Sequence, residues 1–432
     1  MKENFKKAQI VFLLLIFLFP STLVKADMPT INGQSAITYD LESDEIILSK
    51  NPDERLYPAS ITKLLTALVF SDNYSNRKTE YLKYPKEARL EYPYSLYYNL
   101  RYINNDELIS ADTIMHALLV GSANDSAVVI ALNISDSIED FAVLMNEKAK
   151  ELGMLNSNFV TTTGIHNDEH YSTASDLMIL TKAAYKDPWI REVSLVENYS
   201  AKTKTQTLGE IETKNKILGI DGNVFGKTGF TYEAGRCLTS IFERNGRKIG
   251  TIILNSKNDP GNIQVFNDTR LIADASYNEN PSNKYLKGDD IEVFELSYKP
   301  YKFFGKERKI EIPLVLSDNI SYYPNDVNEN EGQTDITFYD IESKEIDKDT
   351  PLGQLTYKER FNTKTVDLLS TVNVQNTILK NHLLGYILIT LFLVIFIFLV
   401  LKIMITNRRK KKERKRRLLE NRRNSKFSNR NY

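Results

Sequence analysis

The sequence predicts an α+β body, then a small all-β region, then one apolar helix. Three observations lead there. Hairpin signals stand near both ends of the first 283 residues, with helix-period apolar patterns between them. Composition shifts at Asn278-Glu-Asn-Pro-Ser-Asn283, after which short β-like runs replace the helical patterns. Leu383 to Leu401 is 19 residues without a charge, close to the roughly 20 apolar residues that cross a hydrocarbon core.

Taken in order, Ser35 to Ser49 alternates loosely, with Glu42-Ser-Asp44 between its halves, and reads as a β-hairpin. Pro58-Ala-Ser60 opens a helix through Phe70 that carries Leu64, Leu65, Leu68 and Val69. Ser110 caps a helix from Ala111 to Val120, ended by Gly121, and Asp125 to Leu132 is a further apolar helix. Asp136-x-x-Glu139 resembles a capping box for a helix from Ile138 to Leu152, with Gly153 as its stop. Leu238–Phe242 and Lys248–Leu254 flank Asn245-Gly246, a strong tight-hairpin signal. Ile263 to Tyr277 is amphipathic. In the all-β region, Ile291–Leu296, Lys309–Ile312 and Thr334–Tyr339 read as strands, and Asn325–Gly332 as a polar turn.

The two ends read as targeting and anchoring segments. Lys2, Lys6 and Lys7 precede an apolar run from Ile10 to Phe19, and Val24-Lys25-Ala26 fits a cleavage site. This gives a signal peptide over 1–26 and a mature start at Asp27. A membrane helix is expected over 383–405 and a basic cytoplasmic tail over 406–432, because basic residues beside a span mark the cytoplasmic side. Nine of the ten residues from Arg408 to Arg417 are basic. The tail from Lys402 carries +12 and residues 1–26 carry +3, so the body must carry −15 for the chain to be neutral. An acidic body excludes a nucleic-acid binder by charge. Cys237 is the single cysteine, which excludes an internal disulfide, and it reads as a buried small hydrophobe. The expected domains are 27–283, carrying any chemistry, and 284–372, a β-rich spacer to the membrane.

Three short motifs carry chemistry: Ser60-Ile-Thr-Lys63, Ser122-Ala-Asn124 and Lys227-Thr-Gly229. A serine hydroxyl is a poor nucleophile until a base takes its proton. Ser60 and Lys63 stand one helical turn apart on one face. A partly buried lysine near other cations loses proton affinity and serves as that base. Ser122 follows a break between helices, where a hydroxyl relays a proton to a leaving amine, and the Asn124 amide offers a donor and an acceptor to a peptide bond. Lys227 supplies positive potential, Thr228 a hydroxyl, and Gly229 a place where a substrate backbone approaches closely. Each motif alone is weak. An S-x-x-K followed by S-D-N and K-T-G elements marks penicillin-binding proteins and class A β-lactamases; here the middle element reads S-A-N.

Over roughly Ala36 to Tyr277 the chain resembles the serine D-alanyl-D-alanine carboxypeptidases, the low-molecular-mass penicillin-binding proteins. The resemblance rests on Tyr57-Pro-Ala-Ser-Ile-Thr-Lys63, Ala117-Leu-Leu-Val-Gly-Ser-Ala-Asn-Asp-Ser-Ala127 and Lys227-Thr-Gly-Phe-Thr-Tyr-Glu-Ala-Gly-Arg-Cys-Leu238, with Asn158-Phe-Val and Thr163-Gly-Ile-His-Asn-Asp-Glu-His-Tyr-Ser-Thr-Ala-Ser-Asp176 between them. It implies a penicillin-binding/β-lactamase-like fold, an antiparallel sheet flanked by helices. It also implies Ser60 as acylated nucleophile, Lys63 as base, Ser122 as proton shuttle and Asn124 as substrate orienter. Lys227 and Thr228 would bind the terminal carboxylate, with Gly229 beside them, and the backbone N–H groups of Ser60 and Phe230 would form the oxyanion hole. The implied reaction removes the terminal D-alanine from peptidoglycan pentapeptide stems, outside the membrane, with β-lactams as covalent inhibitors and with no metal or organic cofactor.

Two features depart from that pattern. A spanning segment and basic tail replace the amphipathic membrane helix of many relatives, and Asn262-Ile-Gln-Val265 lacks an arginine that some relatives carry there. His166-Asn-Asp-Glu-His170 fits an inverted zinc-protease pattern but lies between loop signals, so a structural loop is expected. The rival readings are a β-lactamase, for which Glu169 is the nearest candidate glutamate, and a catalytically silent membrane-anchored cell-wall binding protein.

Overall fold

The computed structural model describes residues 28–74, 76, 79–301, 305–341 and 345–428. The expected signal peptide lies outside the described residues. By internal contacts the chain divides into two compact units. The first is 1–284 with Ile320–Asp335 and Thr356–Lys364; the second is Tyr285–Asn319, Ile336–Leu355 and Thr365–Tyr432.

The first unit is built on a five-stranded antiparallel sheet. Its spatial order is Ile46–Lys50, Ser35–Asp40, Arg247–Ser256, Gly235–Arg244 and Asn223–Thr231. The turn between Gly235–Arg244 and Arg247–Ser256 is Asn245-Gly246, with φ of +50° and +82°. Both residues tolerate the left-handed region that this tight turn requires. Each central strand has two apolar faces. Leu238, Phe242 and Ile253 pack with Val265, Phe266 and Ile272 of the helix Gln264–Asn278. Ile37, Tyr39, Ile241 and Ile252 belong to a larger core with the helices Lys63–Asn73, Ala111–Leu119, Asn124–Ile134 and Ala174–Lys186.

Local signals place these helices. Ser110 accepts from the Thr113 N–H at the start of Ala111–Leu119, a contact worth about 1 kcal/mol. The helix Ile138–Leu152 ends at Gly153, whose φ is +91°. Its N-cap is Ser137, one residue later than the expected Asp136; the Ser137 hydroxyl accepts from the Asp140 N–H. A hydroxyl and a carboxylate both cap well, so the sequence did not separate the two registers. Nor is Asn325–Gly332 a simple turn. Asn325 caps a short helix, Asp326–Glu331, by accepting from the Asn328 N–H.

Ile320–Asp335 and Thr356–Lys364 belong to the first unit through specific polar contacts. The amides of Asn325 and Asn328 donate to the Ile46 carbonyl at 2.8 and 3.0 Å. Arg360 bonds Asp53 and Ser175 at 2.6 and 2.9 Å, and Lys364 bonds Glu45 at 2.6 Å. A division at 283/284 therefore does not follow the contacts: a chain cut there loses the Asn325 and Asn328 bonds to Ile46, the Lys364 bond to Glu45 and the Arg360 bond to Asp53.

Five later strands form a second five-stranded sheet in the order Asp290–Tyr298, Arg308–Leu316, Thr363–Ser370, Pro351–Lys358 and Gln333–Phe338. A continuous helix, Val374–Ser428, follows. Among the described residues it contains the one segment long and apolar enough to cross a membrane, and none of that segment is buried.

Candidate active site

Ser60 sits in a 3-10 turn, Ala59–Thr62, that runs directly into the helix beginning at Lys63. The expected single helix is thus a tight turn followed by an α-helix. The turn is held in an uncommon shape. Ala59 has φ of +48°, a conformation that costs a non-glycine residue of order 1–3 kcal/mol. Two glycines make room for it. A Cβ on Gly164 would lie 1.9 Å from the Ala59 oxygen, and one on Gly229 would lie 2.9 Å from the Pro58 oxygen and 3.1 Å from the Ser60 nitrogen. Gly229 thus lets the Asn223–Thr231 strand approach the Ser60 turn.

Lys63 is fully buried. Its Nζ donates to Ser60 Oγ at 2.8 Å, Asn124 Oδ1 at 2.8 Å and the Thr163 carbonyl at 2.6 Å. Burial first, and then the charge of Lys227, hold its pKa well below the usual lysine value. A neutral amine has two N–H groups and one lone pair. Asn124 Oδ1 and the Thr163 oxygen accept only, so in the neutral form they take the two N–H groups. The lone pair is left facing the Ser60 hydroxyl.

Lys227 is also buried, and its Nζ donates to Ser122 Oγ at 2.8 Å and the Thr228 carbonyl at 2.9 Å. Burial and Lys214 push its pKa down to about 7. An ammonium has three N–H groups, and these two partners leave one for a ligand. Ser122 itself has φ of +58°, directed by the break between Ala111–Leu119 and Asn124–Ile134. The structure therefore brings Ser60, Lys63 and Asn124 into one hydrogen-bonded group and Ser122, Lys227 and Thr228 into a second. Phe230 follows Gly229 on the same strand, paired with Arg236.

Four contributors were not singled out from sequence. The Thr163 carbonyl accepts a hydrogen bond from the Lys63 amine, and a main-chain acceptor leaves no side-chain signature. Asp125 is buried and accepts from the Tyr84 hydroxyl at 2.8 Å and the Tyr97 N–H at 3.2 Å; burial pushes its pKa up to about 6. Burial raises the pKa of Glu91, and the Lys63 charge opposes that rise, so a carboxylate also stands near the site. Arg236, nine residues after Lys227, stacks on the Phe230 ring at 4.0 Å and donates to Asn258 and Asn262. The segment Asn262–Val265 lacks an arginine, but Asn262 holds this one.

The two histidines of the H-x-x-E-H match do not share a helix. Nδ1 of His170 accepts from the Val160 and Thr161 N–H groups at 3.1 and 3.2 Å, so Nε2 carries the proton and donates to Thr62 Oγ1 at 2.8 Å. Burial lowers its pKa to about 4, keeping it neutral. The segment is a loop that braces the Ser60 turn from below. Glu169 is exposed, and its carbonyl accepts from Asn158.

With this geometry in hand, comparison with known proteins is decisive. A profile of the family described as D-alanyl-D-alanine carboxypeptidase matches residues 22–258. The chain belongs to that family. D-alanyl-D-alanine carboxypeptidase DacF of Bacillus subtilis is 28% identical over 362 residues, covering 81% of this chain and 89% of the relative. A D-alanyl-D-alanine endopeptidase of Escherichia coli is 31% identical over 243 residues, 54% of this chain and 74% of the relative. Among solved structures, penicillin-binding protein D2 from Listeria monocytogenes, in its ampicillin-bound form, has a TM-score of 0.50 at 28% identity, covering 58% of this chain and 99% of that one. A D-alanyl-D-alanine carboxypeptidase from Mycobacterium tuberculosis shares the fold, with a TM-score of 0.55 at 21% identity over 60% of this chain and 96% of that one. The fold is thus the penicillin-binding type, and neither a β-lactamase nor a silent scaffold is favoured by the family's members.

Proposed function

We propose that this chain is a serine-type D-alanyl-D-alanine carboxypeptidase that removes the terminal D-alanine from peptidoglycan stem peptides through an acyl-enzyme on Ser60. The observation that carries the reading is the bridging of Ser60 Oγ and Asn124 Oδ1 by the buried Lys63 amine. Neutral Lys63 takes the Ser60 proton as Oγ attacks the carbonyl of the penultimate D-alanine. Negative charge develops on the carbonyl oxygen, and the N–H groups of Ser60 and Phe230 receive it. The proton taken by Lys63 reaches the leaving nitrogen by way of the Ser122 hydroxyl, the C–N bond breaks and D-alanine departs. Water then releases the acyl group and restores Ser60. β-Lactams present a strained amide to the same serine.

Lys227, Thr228 and the nearby Arg236 supply the positive end of the site, which receives the substrate's terminal carboxylate. This assignment is testable by pH. The free-enzyme pKa of Lys227, about 7, is depressed, so its charge is present below that pH and lost above it. With a D-Ala-D-Ala peptide, kcat/KM should fall on the alkaline side with that pKa. With a C-terminally amidated peptide, that limb should vanish and kcat/KM be lower throughout. Thr228→Val should cost at least ~10-fold on the acid peptide, the loss of a hydrogen bond to a charge worth roughly 1.5–3 kcal/mol. An alkaline limb identical for both substrates would refute the carboxylate contact.

The same reading sets topology. Residues 27 to about 380 face outward, the helix crosses over 383–405, and the cluster at Arg408–Arg417 stays in the cytoplasm because moving it across the hydrocarbon is costly. Protease added to intact spheroplasts should digest the catalytic unit and spare an epitope on the tail. Loss of the tail epitope with survival of the catalytic unit would reverse the orientation.

A further inference from the structure

Residues 81–102 hold seven of the chain's 24 tyrosines. Tyr84 is buried on Asp125, and the Tyr97 N–H also reaches that carboxylate. Five others face water, although their rings are largely apolar: Tyr81, Tyr92, Tyr94, Tyr98 and Tyr102 are 45, 69, 52, 52 and 57% exposed. Three of them are not scattered. The rings of Tyr92 and Tyr98 meet at 5.5 Å, those of Tyr98 and Tyr97 at 5.0 Å, and those of Tyr97 and Tyr102 at 5.3 Å. The Arg89 guanidinium lies over Tyr97 and Tyr102 at 5.4 and 4.8 Å and fixes that end of the row. Three exposed rings joined through half-buried Tyr97 mark a contact surface rather than incidental exposure.

The segment that carries the row is tied to the catalytic group through Tyr94 and Asp125. The Tyr94 carbonyl accepts from the Asn124 N–H at 2.6 Å, and Asp125, which pins Tyr84 and Tyr97, is the residue after Asn124. Whatever lies on this rim is therefore joined to what enters the cleft. On the function proposed above, the substrate peptide hangs from a polymer of N-acetylated sugars, and that polymer must rest at the cleft mouth. Tyrosine suits it. The ring face packs on the C–H face of a pyranose, the hydroxyl bonds to sugar hydroxyls and acetamido groups, and two χ angles are cheap to immobilise. An anionic lipid surface suits the acidic body poorly.

We propose that the row Tyr92–Tyr98–Tyr97–Tyr102 is a binding platform for the glycan strand that carries the stem peptide. It acts on recognition of the polymer and leaves the chemistry at Ser60 alone. The test compares the detergent-solubilised full chain with a triple variant, Tyr92→Ala, Tyr98→Ala and Tyr102→Ala, all exposed positions. Sedimentation with purified sacculi and kcat/KM on sacculi should each fall at least ~10-fold. Turnover of a soluble D-Ala-D-Ala peptide and the rate of penicillin acylation should stay within about twofold. Peptide-free glycan strands, prepared with an amidase, should compete for wild-type binding to sacculi. The corresponding triple Phe variant should keep most of the binding. Unchanged sedimentation of the Ala variant would overturn the proposal, as would equal losses on sacculi and soluble peptide, or lost binding to anionic vesicles with binding to sacculi retained. Failure of the proposed function would appear separately, as a wild-type protein that neither turns over the peptide nor is acylated.

Discussion

Ser60→Ala should reduce hydrolysis of a D-Ala-D-Ala peptide by at least ~10³-fold without loss of the fold. Without the hydroxyl no acyl-enzyme forms, and only binding and the oxyanion donors remain, which in other serine hydrolases leaves a small residue of catalysis. The change removes one oxygen from a half-buried position. Lys63 keeps Asn124 and the Thr163 carbonyl as partners, so thermal unfolding should shift little. Substrate affinity should survive, because the carboxylate-binding groups at Lys227 and Thr228 are untouched. Hydrolysis retained within tenfold of wild type would remove Ser60 from the mechanism.

The second large effect concerns Lys63. Lys63→Met keeps the volume and removes the base, which should cost ~10²–10⁴-fold in kcat/KM, a barrier of roughly 3–5 kcal/mol. It also leaves Asn124 Oδ1 and the Thr163 oxygen without a donor, each costing about 1–3 kcal/mol if water does not replace the amine. A pH measurement separates the two roles. The folded-state pKa of Lys63 lies below its unfolded value, so between the two the unfolded chain binds more protons and wild-type stability rises with pH. Lys63→Met should remove that part of the slope. In wild type, kcat/KM should rise with pH through the lowered Lys63 pKa as the base becomes neutral. Full activity of Lys63→Met would transfer the base role to another group.

Much of this site was legible because its chemistry is carried by short segments with strong local rules. Ser60 and Lys63 share a helical turn, Ser110 and Gly153 cap their helices, and Asn245-Gly246 turns the hairpin against which the Lys227 strand pairs at the sheet edge. Those features depend on neighbours a few residues away. What could not be read depends on distant chain. Gly229 faces Pro58 and Ser60, and Gly164 faces Ala59; a glycine announces room but not for what. Asn325 meets Ile46 across 279 residues, and no periodicity records such a pairing. Arg236 was visible within the third motif, yet its stacking on Phe230 and its bonds to Asn258 and Asn262 exist only in the folded hairpin.

The central claim is that Ser60, activated by Lys63, is the acylated nucleophile. Mass spectrometry of the penicillin-treated full chain tests it most directly. A single, slowly lost adduct on the peptide containing Ser60, absent from Ser60→Ala, is the predicted result. An adduct on any other residue, or rapid penicillin turnover with no persistent adduct, would contradict it.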